Sequence, residues 1–288
     1  MKILMLHGYT QTGDTFRRKL RRLEASLCQL DAEAEFVYLD GPIKLETHDI
    51  PGNTGAYHQK GEHDMRAWFD LRIVHNPPTR IHRSLDLLAA TLKSEGPFDG
   101  IVAFLQGTVV GAMVASLLQG NVRRRAYEDA LEQSDDILDY PESFLDIRHP
   151  PQKFALFYAS RVGTGDYSGW MYQHPRIKTP FCHFYGELDP MVSYEERDAV
   201  WERVCGDEGA TVIAHGGGHF VPTDCRSTET ACRFVKQCME ASCQDSRKDS
   251  GAGLVVWLVY SVQQDGYTIN CAMGRGNAMA RQASQSFH

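Results

Sequence analysis

Short apolar runs alternate along the chain with longer stretches of helical spacing. Ile3–Leu6 reads as a strand, and Asp14 to Leu30 follows with Phe16, Leu20, Leu23 and Leu27 on one side of a helix. Phe36–Leu39 is a second strand. A polar, Gly- and His-rich stretch from Asp40 to about Asn76 precedes a helix from about Arg80 to Ser94. Gly100–Phe104 is a strand that runs directly into the helix Gln106–Leu118. An irregular segment, charged in its first half, spans Gly120 to Pro151. Strands recur at Phe154–Tyr158, Phe181–Tyr185 and Thr211–Ala214, with helices near Tyr194–Val204 and Asp224–Cys243. This alternation predicts an α/β fold with a mostly parallel twisted sheet, helices on both faces, and irregular lid insertions at 40–76 and 120–151. No internal repeat is present. Residues 1–243 form the expected domain. Residues 244–288 read as a poorly ordered extension with one apolar segment, LVVWLVYSV, which a docked strand or helix would also explain.

Composition narrows the function classes. Apolar residues make up 42% and charged residues 23% of the 288, as in an ordinary globular protein. A net charge of -7 argues against a nucleic-acid partner, since phosphate binding needs clustered cations. The one dense basic run, Arg17, Arg18, Lys19, Arg21 and Arg22, falls on the first helix and reads as its solvated face. No signal-peptide pattern opens the chain, and Leu254–Tyr260 is too short an apolar run to span a bilayer. No membrane partner is expected. The eight Cys include no CxxC pair, and Cys225, Cys232, Cys238 and Cys243 share one expected helix. Reduced thiols in a cytoplasmic setting are therefore expected.

In an open parallel sheet, chemistry collects at the carboxyl ends of the strands. Three loops there carry candidates. LHGYTQTGDTF brings backbone N–H groups close to a substrate, and the Tyr9 N–H is a candidate oxyanion donor; a plain turn capped by Asp14 explains the same residues. HFYGELDPMV ends a strand in Asp189, a carboxylate able to orient a histidine, although Asp before Pro is also a common turn residue. IAHGGGHFVP places His219 behind three glycines, with His215 on the same loop as a bystander. An Asp and then a His, late in the chain, follow the order of a Ser–Asp–His triad. His48, His58 and His63 lie in one loop without zinc-site spacing, so no metal is expected. The first loop lacks GxGxxG, and no cofactor is expected.

Together LHGYTQTG, RAWF, GPFDGIVAFLQG, YGELDPMV and HGGGHFVP resemble the FSH serine hydrolases, an α/β-hydrolase group abundant in fungi that includes thioesterases releasing polyketides from their synthases. The resemblance runs over roughly residues 1–243. It implies Asp189 as triad acid, His219 as base, and the Gln106 and Tyr9 N–H groups as the oxyanion hole. It places Trp68 and Phe69 near the pocket, where core packing would explain them as well. It further implies a small-molecule or carrier-bound acyl substrate, with a polyketide synthase as a possible partner.

The family's elbow reads G-F-S-Q-G, whereas this chain has Ala103-Phe104-Leu105-Gln106-Gly107. Leu105 removes the nucleophilic oxygen. Thr108 lies one helical turn on, with its hydroxyl expected in the helix packing, and no cysteine is near. Removing such a nucleophile costs about 10⁶ in kcat, so ordinary acyl-enzyme hydrolysis is not expected. Three readings stand. In the first and favoured reading, His219 with Asp189 acts as a general base in a cyclase- or lyase-like reaction; retention of the pair speaks for this reading and for the third. In the second, the chain is an inactive binding or scaffold protein. In the third, Leu105 is a mutation or artefact in an active serine esterase or thioesterase.

Overall fold

A computed structural model of the chain describes residues 1–50, 64–70, 80–134, 136–160, 166–172, 176–192, 210–248, 260–264 and 267–271. The chain divides into two compact units, Met1–Ser242 and Cys243–His288. The first unit is built on six strands: β1 (Lys2–Leu6), β2 (Glu35–Leu39), β5 (Gly100–Phe104), β6 (Phe154–Tyr158), β7 (Phe181–Gly186) and β8 (Ala210–His215). They pair in the order β2-β1-β5-β6-β7-β8, every pair parallel. The central strand β5 is buried along its whole length, which is why it reads as a continuous apolar run.

Alternate residues of each strand serve opposite faces. Ile3 and Met5 pack with Val102, Phe104, Leu156 and Tyr158 beneath α1 (Gly13–Leu30) and α5 (Cys225–Lys248). Leu4 and Leu6 pack with Ile101, Ala103 and Phe157 beneath α2 (Ile81–Glu95) and α3 (Gln106–Leu117). The apolar stripe of α1 is the one expected, and its five basic residues are exposed on the other side. The cap differs: Thr12, not Asp14, holds the helix start by accepting from the Thr15 N–H at 3.1 Å. Gly13 already belongs to the helix, and its N–H donates to Asp40 Oδ1 at 2.7 Å.

The stretch 120–151 is less irregular than its composition indicates. It contains α4 (Asn121–Leu131), whose two buried residues are Arg123 and Ala126. A helix that buries an arginine and an alanine leaves no apolar periodicity to read. Arg123 is admitted to the core because its guanidinium donates to the Trp170 carbonyl at 2.9 Å. Within 40–76, β3 (Ile43–Lys44) and β4 (Arg66–Ala67) pair antiparallel. The helix expected at Tyr194–Val204 lies outside the described residues. In the second unit, β9 (Tyr260–Gln264) and β10 (Tyr267–Cys271) form an antiparallel pair. Among the described residues no helix is long and apolar enough to cross a membrane, and Cys28, Cys182, Cys225, Cys232, Cys238 and Cys243 form no disulfide.

Candidate active site

The turn from β5 into α3 is tight. Leu105 has φ +46° and ψ −111°, in a region that side chains rarely occupy. Its N–H donates to the Tyr158 carbonyl at 3.0 Å, and its carbonyl accepts from the Thr108 N–H at 3.0 Å. The Thr108 hydroxyl donates to the same carbonyl at 2.6 Å, so it points into the helix start. Gly107 lets α3 approach β1: a Cβ there would lie 2.4 Å from the Leu6 carbonyl oxygen.

Asp189 and His219 come together through loops pressed backbone to backbone. A Cβ on Gly186 would lie 2.3 Å from the Gly218 carbonyl oxygen, so a side chain there would force the two loops apart. The Leu188 N–H donates to the Gly217 carbonyl at 3.0 Å, and the Glu187 N–H to the His215 carbonyl at 2.9 Å. Asp189 is thereby buried, its side chain 2% exposed, and it accepts from the Met191 and Val192 N–H groups. His219 Nδ1 lies 2.8 Å from Asp189 Oδ2 and 3.0 Å from Oδ1. A carboxylate only accepts, so Nδ1 carries the proton and Nε2 presents a lone pair. Nε2 is buried and, among the described residues, has no hydrogen-bond partner.

The pair faces the elbow. The ring of Phe104, the residue before Leu105, stands 5.2 Å from the His219 ring, centroid to centroid. Leu105 is half-buried and packs in the same apolar cluster as Val192 of the Asp189 loop and Val221 of the His219 loop. His215 instead packs against Phe220 and accepts from the Gly217 N–H; burial lowers its pKa.

The loop after β1 completes the arrangement. Tyr9 is half-buried, and its phenol donates to the Asp49 carbonyl at 2.9 Å. His7 is fully buried; its Nδ1–H donates to the Gly8 carbonyl at 2.7 Å and its Nε2 accepts the Gly41 N–H at 2.8 Å. Burial drives its pKa down to about 4, so the ring is neutral. Trp68 is fully buried, its indole N–H donating to the His7 carbonyl at 2.8 Å, while Phe69 is half-buried against the core. The Gln106 side chain holds the backbone of both. Neither His7 nor this amide bridge was read from the sequence as a site feature. The available signal was a lone primary amide in an otherwise apolar helix start, which burial obliges to find partners. Among the described residues no group of three His, Cys, Asp or Glu is placed to hold a metal; His48 contacts Glu46 and Asp49, and His58 and His63 lie outside the described residues.

A family model described as "Serine hydrolase (FSH1)" matches residues 1–231, four-fifths of the chain. The chain belongs to the FSH1 serine hydrolase family. Among the relatives of this chain, dihydrofolate reductase of Schizosaccharomyces pombe is 26% identical over 229 residues, covering 77% of this chain and 44% of that protein. Esterase OVCA2 of Danio rerio is 27% identical over 259 residues, covering 82% of this chain and 97% of that one. The chain thus spans less than half the length of the first and nearly all of the second. The crystal structure of Arabidopsis thaliana SOBER1 matches with a TM-score of 0.52 at 16% identity, over 83% of this chain and 99% of that one, a likeness of fold. The chain has the α/β-hydrolase fold, and Leu105 stands at its strand-to-helix elbow.

Proposed function

We propose that this FSH1-family chain is a general-base catalyst acting on acyl ester, thioester or polyketide-type substrates, small or carrier-bound, in a cyclase- or lyase-like reaction. The observation that carries the reading is the His219 Nε2 lone pair, buried and unpartnered while Asp189 holds Nδ1–H. Leaving a buried acceptor unmet costs about 1–3 kcal/mol. The atom is matched to a proton that arrives with the substrate. Asp189 stabilises the imidazolium that forms. The Gln106 and Tyr9 N–H groups are the donors for the enolate or oxyanion oxygen. Leu105 offers no atom to acylate, so the attacked or deprotonated atom belongs to the substrate itself. The esterase named among the relatives supports the acyl class. Chains with C–H groups between two carbonyls suit a base without a nucleophile, because those protons are the acidic ones.

The test is proton exchange at the carbon between the carbonyls of a β-ketoacyl thioester in heavy water, followed by NMR. The native chain accelerates exchange or cyclisation and His219→Ala does not. Equal rates with the two proteins would exclude the base. The burial of Nε2 favours a second reading, a binding or scaffold protein in which Nε2 takes no proton from what is bound. It predicts no acceleration by either protein but retained binding of the same thioester.

A further inference from the structure

We infer that the Gln106 side chain is a positioning residue: it grips the strap 66–70 and, through it, sets the oxyanion loop relative to the elbow. The inference rests on the site reading above.

Gln106 is 3% exposed. Its Oε1 accepts from the Trp68 N–H at 2.8 Å, and its Nε2 donates to the Phe69 carbonyl at 2.7 Å. One planar amide thus satisfies a donor and an acceptor on two successive residues, much as a neighbouring strand would. The strap has little other regular structure: the two-residue β4 and a bridge from Arg66 to Gln11. From Trp68 the contacts continue to the site. Its indole N–H donates to the His7 carbonyl, and the His7 ring ties Gly41 to Gly8, next to Tyr9. Gln106 therefore carries one proposed oxyanion donor on its own backbone. Through its side chain it fixes the loop that carries the other. Space filling alone does not account for an amide here, since methionine would fill the volume without desolvating a primary amide.

The test uses protonation as a switch. In a Leu105→Ser background the rate of fluorophosphonate labelling reads the oxyanion geometry. Gln106→Glu, when ionised, can accept from Trp68 but cannot donate to the Phe69 carbonyl. When protonated it does both. Burial raises a glutamate above its ordinary value of about 4.3, which brings the switch into a usable range. Relative to Leu105→Ser at the same pH, the Glu variant labels about 100-fold more slowly near pH 8, the order expected for a donor moved by about 1 Å. The deficit closes as the pH falls toward about 5. Gln106→Met is slow throughout. A deficit that does not change with pH, or a Met variant as fast as its parent, overturns the role. Absence of labelling in Leu105→Ser itself overturns the site reading instead. The clamp is then judged in the otherwise native chain by hydrogen exchange at the Trp68 amide. Exchange about tenfold faster in Gln106→Met, which removes the acceptor for that N–H, supports it, and unchanged exchange refutes it.

Discussion

Acidification weakens this fold through His7 well before its carboxylates are neutralised. The ring is fully buried and uses both nitrogens in the neutral form, donating to Gly8 and accepting from Gly41. Protonation would turn the acceptor into a second donor, aimed at the Gly41 N–H. The folded pKa is about 4, against 6.5 for an ordinary histidine, and burial is the main cause. The unfolded chain therefore binds more protons between these values. The His7 contribution is complete above about pH 6.5 and is lost as the pH falls toward about 4. A difference of about 2.5 units corresponds to roughly 3 kcal/mol, a large part of a typical folding stability. His183 is also buried, with its pKa lowered to about 4, so acid sensitivity has at least two sources. The discriminating assay is urea denaturation of the native chain and His7→Gln at intervals across this window. Gln retains an acceptor for Gly41 but does not titrate. The stability of the native chain should fall more steeply, by up to about 1.4 kcal/mol per pH unit near the middle of the window. The difference should persist in high salt, because burial rather than a screened charge causes it. Parallel pH profiles for the two proteins would show that His7 is not the buried base described.

The native chain is expected to resist fluorophosphonate labelling, and Leu105→Ser to gain it. The activation at stake is about 10⁶ in rate. Labelling of the native chain, located by mass spectrometry of the modified peptide, would reveal a nucleophile elsewhere. Gly107→Ala should destabilise by about 2–4 kcal/mol, because the added methyl meets the Leu6 carbonyl oxygen at 2.4 Å and the His7 carbonyl oxygen at 2.7 Å. An unchanged urea midpoint would mean that helix and strand can separate without cost.

Much of the architecture was written in local pattern. Strands such as β5 and β6, buried on both faces, must be apolar throughout, and the stripe of α1 repeats with the helical turn. The motif order also singled out Asp189 and His219, which the fold brings to 2.8 Å because strand ends meet at one edge of the sheet. Where local pattern carried no apolar signal, the reading stopped. α4 was hidden because its buried positions are Arg123 and Ala126, and the cap at Thr12 was missed because Gly13 joins the helix. Only the tertiary structure decided which polar atoms meet. It set the neutral tautomer of His7, gave the Gln106 amide its two backbone partners, and left His219 Nε2 with none among the described residues. The physical reason is one of range. Hydrophobic periodicity is a property of neighbouring residues, whereas a buried hydrogen bond depends on what lies across the core, here 38 residues away for Gln106 and Trp68.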